Sequence, residues 1–120
     1  MADFKSFSKH ENELAHKFRN KLNHAESSED VKKFFNYTIQ ELLTQALGQG
    51  IEIRYEDIAL GAGGSGYTLS GRLQTDPSFS ALTKTSDINA IIQRFAESAQ
   101  HRVRHLEGHP EKTQSKIRGH

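Results

Sequence analysis

Gly61-Ala62-Gly63-Gly64-Ser65-Gly66 runs directly into Tyr67-Thr68-Leu69-Ser70-Gly71-Arg72-Leu73, and the reading of that junction decides the fold. The glycines match GxGxxG, a spacing associated with nucleotide binding. That chemistry needs a strand before the glycines and a helix opening straight after them, so that the helix N-terminus meets the pyrophosphate. Here the residues after the glycines alternate apolar and polar, as a strand does. The run therefore predicts the loop of a β-hairpin, and no cofactor is expected from it.

Upstream, Ile51, Ile53 and Tyr55 alternate with Glu52, Arg54 and Glu56, which predicts a strand with one wet face. Ile58 and Leu60 fall on the opposite parity, so a bulge near Glu56-Asp57 is expected to return them to the core side. Downstream, Tyr67, Leu69 and Leu73 share one face of the second strand. Thr75-Asp76-Pro77-Ser78 reads as a turn. Phe79 to Thr83 fits either a short third strand or a helical turn.

Helices flank the hairpin. Ser8-x-x-Glu11 has the pattern of a capping box, and Phe7, Leu14, Phe18 and Leu22 then recur at three-to-four spacing, a narrow apolar stripe. Ser27-Ser28-Glu29-Asp30 supplies a cap and first-turn acids for a second helix. Val31, Phe34, Phe35, Thr38, Ile39, Leu42, Leu43 and Ala46 give that helix a wide apolar face, and Gly48 and Gly50 stop it. A last helix starts near Ser86-Asp87, carries Ile88, Ile91, Ile92, Phe95, Ala99, Val103 and Leu106 on one side, and is expected to end at Gly108 and Pro110. The order α-α-β-β-(β)-α predicts an α+β fold, a small antiparallel sheet with helices packed on one face. A parallel sheet would need a crossover helix between the strands. One compact domain is expected over 1–108, with 109–120 a flexible or loosely docked basic tail.

The 120 residues contain no cysteine, which removes disulfides, thiolate metal sites and thiol nucleophiles. No apolar run approaches the ~18 residues of a membrane helix, and the first residues lack the layout of a signal peptide. The expectation is a soluble cytoplasmic protein. The net charge of +1 is unevenly spread: residues 1–60 hold eight basic against ten acidic side chains, residues 61–120 eight against five.

The basic excess concentrates near the C-terminus. Arg94, His101, Arg102, Arg104 and His105, continued by Lys112, Lys116 and Arg118, form the candidate site for an anionic partner. His101-x3-His105-x3-His109 has a metal-like spacing, but Arg102 and Arg104 would repel a cation, so no native metal site is expected. Phe95 is the only aromatic residue there and belongs to the core side, so binding should be led by phosphate rather than by base stacking.

Two resemblances bear on this. The segment from Glu29 to Leu106 resembles the double-stranded-RNA-binding domain in element order. That family grips phosphates with a lysine-rich cluster opening its last helix, and the matching Ser86-Asp87-Ile88-Asn89-Ala90-Ile91 contains no base. Arg19-Asn20-Lys21-Leu22-Asn23-His24 resembles the Arg-polar-x-x-x-His motif of the HEPN ribonucleases. That resemblance implies metal-independent RNA cleavage, with Arg19 stabilising charge on the scissile phosphate and His24 acting as acid or base, across a dimer.

The expected function is a small non-catalytic binding module whose partner is a protein, a second copy of the chain or a polyanion. The alternatives are the HEPN-like ribonuclease and an enzyme with a pocket lined by Tyr55, Tyr67 and Arg72 beside the glycine loop.

Overall fold

The computed structural model describes residues 6–48, 51–61 and 66–118, with side chains as far as residue 106. Its elements are α1 (Ser8–His24), α2 (Ser28–Leu47), a 3-10 turn (Tyr55–Asp57), β1 (Ile58–Leu60), β2 (Tyr67–Leu69), α3 (Gly71–Gln74), α4 (Pro77–Thr85) and α5 (Ile88–Arg118). The fold is α+β. Two antiparallel strands, Ile58 opposite Leu69 and Leu60 opposite Tyr67, lie against a helical layer.

The core forms where α2 crosses α5. Val31, Phe35, Ile39, Leu42 and Leu43 meet Ile88, Ile91, Ile92 and Ala96, all fully buried. Phe18 of α1 meets Phe95 of α5 edge-on, with ring centroids 5.3 Å apart. Ser27 caps α2 as its sequence predicts, its hydroxyl accepting from the Asp30 amide at 3.2 Å. Gly48 ends the helix with φ of 70°.

Gly61 and Gly66 close the hairpin of β1 and β2, and residues 62–65 of the glycine run lie outside the described residues. The Gly61 amide donates to the Gly66 carbonyl at 2.8 Å, and both glycines have left-handed φ, 90° and 87°. A Cβ on Gly66 would stand 3.7 Å from the Gln100 side chain, an ordinary contact. The cost of Gly66→Ala is therefore conformational, about 1–2 kcal/mol, to be read from the urea midpoint. An unchanged midpoint would show that the loop does not need this backbone.

Several local expectations are corrected. The box at Ser8 is not made: Phe7 is the N-cap, without a side-chain cap. Glu11 turns instead to Arg94, because a bidentate charge-assisted pair outweighs a reach back to one amide. Residues 51–54 are not a strand. Asp57 turns inward and accepts from the Arg54 amide at 2.8 Å, which closes the 3-10 turn, and this turn changes the parity where a bulge was expected. The second strand stops at Leu69, because the Ser70 hydroxyl accepts from the Leu73 amide at 3.1 Å and starts α3. Phe79 to Thr83 is helical, with Asp76 accepting from the Ser78 and Phe79 amides and Pro77 opening α4. The sequence is thus without a third strand among the described residues, and the element order parts from that of the double-stranded-RNA-binding domain.

The last helix does not end at Gly108 and Pro110 but continues to Arg118. A proline removes one N–H bond, here to the carbonyl of Leu106, while the turns on either side can still close theirs. At ~1.5 Å per residue, the 31 residues of α5 make it the longest element of a molecule measuring 65 × 27 × 22 Å.

Candidate functional site

The seam between α1 and α5 holds four of the eight side chains that the sequence assigns to binding: Arg94, His101, Arg102 and His105. Phe18 and Leu22 of α1 are buried against α5, which leaves Arg19 and Asn23 on the upper edge of the seam. On α5, Ala96, Ala99 and Val103 point inward, which leaves Glu97, Ser98, His101, Arg102 and His105 on the opposite edge. Between these edges lies an open groove of about 490 Å³ with Leu22 in its lining. A smaller cleft of about 230 Å³ continues it toward the start of both helices, sharing Arg19, Leu22 and Ser98.

Two of the predicted cations are already engaged. Arg94 donates through Nε and Nη2 to the two carboxylate oxygens of Glu11, at 2.6 and 2.8 Å. The Glu11 carboxylate raises the guanidinium's pKa against the opposing effect of desolvation. Arg102 is half-buried, and its Nη2 donates to the carbonyls of Asn23 and Ala25 at 3.4 and 3.3 Å. These are end-of-helix acceptors without an intrahelical donor, at the negative end of the α1 dipole, so Arg102 is a cap for α1. Its Nε is buried without a partner among the described residues.

His101, Arg104 and His105 are exposed on α5. Lys112, Lys116 and Arg118 follow on the same helix, their side chains outside the described residues. Arg19 is a groove residue that charge clustering alone did not reveal, because it lies 82 residues from His101 in the chain. Its helical spacing from Phe18 and Leu22, one position off the buried stripe, was the available signal. Arg19, His101 and Arg104 have no ion pair or hydrogen bond among the described residues. No trio of histidine or acidic side chains fit to hold a metal occurs among them either.

The other candidates disperse. His24 lies five residues beyond Arg19, about 140° around the helix, and its ring Nδ1 is 2.8 Å from the Asn20 carbonyl oxygen. Within one chain the two do not converge. Tyr55 is exposed and packs edge-on to Tyr37, 5.7 Å between centroids, while Tyr67 lines a separate, uncharged groove between β2, α4 and α5. Arg72 binds the Asp57 carboxylate and donates to the Glu52 carbonyl at 2.6 Å. Tyr55, Tyr67 and Arg72 therefore share no pocket.

Asp57 is the buried acid that the sequence does not disclose, 2% exposed. The Ser70 hydroxyl donates to it at 2.6 Å, and Arg72 and the Arg54 amide donate as well. Burial pushes its carboxyl up, but these three donors together hold it below the ordinary value. The cluster ties the 3-10 turn to α3.

No protein-family model, curated protein or solved structure matches the chain. Among the described residues, no helix is long and apolar enough to cross a membrane.

Proposed function

We propose that the protein is a binding module, not an enzyme, that takes a phosphate-bearing polyanion along the α1–α5 groove. One observation carries this reading: Arg19 and His101 face a common groove from two helices, and both lack an internal partner among the described residues. A guanidinium without a fixed acceptor is available to an incoming phosphate, and Arg suits that geometry. Arg94 and Arg102 support the groove rather than the ligand, by fastening the two ends of α1. The basic residues further along α5 extend the attraction beyond the groove.

The test is an amide NMR titration of the full chain with short RNA and DNA at low and moderate salt. Shifts should centre on Arg19, Asn23, Ser98, His101 and His105, and should fade with salt as counterion release requires. Arg19→Glu should weaken binding about tenfold by reversing one contact charge, without loss of fold because Arg19 is exposed. Shifts spread evenly over the surface, or none at low salt, would remove the reading.

A further inference from the structure

We infer that a phosphate chain seated in this groove bridges α1 to α5, so that occupancy of the site and docking of α1 form one coupled equilibrium. The inference rests on the reading of the groove as an anion site.

Three observations lead to it. First, α1 is the lightly anchored helix: it buries Leu14, Phe18 and Leu22, whereas α2, three residues longer, buries seven side chains. Elements with few buried apolar contacts open at lower free energy than the global fold. Second, α1 meets α5 at separated points. Near its start, Glu11 holds Arg94, and Asp87 accepts from the Ser6 hydroxyl and the Phe7 amide at 3.0 and 2.9 Å. In the middle, Phe18 meets Phe95. At its end, Arg102 reaches the Asn23 and Ala25 carbonyls. The two clefts lie between these ties.

Third, the larger cleft has a guanidinium on each edge. Arg19 stands on the α1 side, with Arg102 and the two histidines on the α5 side. The single acid in that lining, Glu97, is 3.4 Å from the Gln93 amide nitrogen and forms no ion pair among the described residues. The two guanidiniums across this part of the seam, Arg19 and Arg102, gain nothing from each other. An anion with several oxygens would reverse that, accepting from Arg19 on one side and from α5 on the other. A ligand that contacts both helices binds the docked state better than the undocked one, and it shifts the equilibrium by that difference alone. A linear chain of phosphates has this property whether it comes from an inorganic polyphosphate or from a nucleic-acid strand.

Hydrogen exchange on the full chain tests this, with tripolyphosphate in one arm and a short oligothymidylate in the other. At ~20 mM salt, where exposed charges are weakly screened, saturating ligand should slow the Leu14–Leu22 amides about tenfold. The Phe35–Leu43 amides of α2 should change much less. Arg19→Gln should leave the exchange of the free protein unchanged and abolish the selective slowing. Slowing by tripolyphosphate alone would identify a compact polyphosphate as the source, and slowing by the oligonucleotide alone a strand; either supports the bridge. Binding by calorimetry with α1 and α2 slowed in proportion would overturn the bridge and leave the groove reading standing. Absence of binding in both arms would remove both.

Discussion

Phe35→Ala is expected to be the most damaging single substitution in the chain, lowering stability by about 3–5 kcal/mol. The ring is completely buried in α2, and its centroid lies 6.4 Å from that of Tyr67 on β2. It is the point at which the α2–α5 core continues into the hairpin. Truncation removes the transfer free energy of the ring and leaves a cavity bounded by helices that can collapse only partly. A single domain of this size has roughly 5–15 kcal/mol in total, so the variant should unfold at a markedly lower urea concentration. The hairpin amides should lose protection together with those of α2. Phe34→Ala is the control. That ring is only partly buried, beneath the ammonium groups of Lys21 and Lys33 at 5.9 and 5.7 Å, and its loss should cost about 1 kcal/mol. Equal effects from the two substitutions would contradict the placement of the core.

Asp57→Ala should follow, at about 3 kcal/mol. The substitution strands the Arg54 amide and the Ser70 hydroxyl and leaves Arg72 without its anion. The figure stays at the lower end of the range for breaking a buried pair, because the Arg72 side chain remains 41% exposed and can rehydrate. The effect carries a pH signature. The folded-state pKa of Asp57 lies below the ordinary carboxyl value of 3.8. Its ionised form therefore contributes stability that is complete above that value and is lost as pH falls through the lower folded-state pKa. Urea titrations from neutral pH downward should show wild type and Asp57→Ala converging below about pH 4. A constant difference across that range would mean that burial of the side chain, rather than its charge, holds the turn.

Asp57 also marks a limit of sequence reading. The alternation of Ile51, Ile53 and Tyr55 is real in the sequence, yet residues 51–54 form no strand, because the carboxylate two positions further on is drawn inward by Ser70 and Arg72. Those donors lie 13 and 15 residues away. Periodicity cannot contain them. The switch of parity at Ile58 was the visible trace of this, and a 3-10 turn and a bulge leave the same trace. The capping pattern at Ser8 failed for a similar reason, since the partner of Glu11 is Arg94, 83 residues on. The α2 cap was legible because Ser27 and Asp30 are three residues apart, and nothing distant competes for the Ser27 hydroxyl.

The sequence by itself determined the helical faces of α1, α2 and α5, the caps of α2, and the hairpin at Gly61–Gly66. Each of these rests on spacing or on backbone freedom within a few residues. Tertiary structure alone decided which charges are available. Arg94 and Arg102 count as binding candidates in the sequence and serve as fasteners for α1 in the fold, while Arg19, isolated in the sequence, stands opposite His101 in the groove. Charged side chains act through space over a few ångströms, and proximity in space is what the chain order of these residues does not encode.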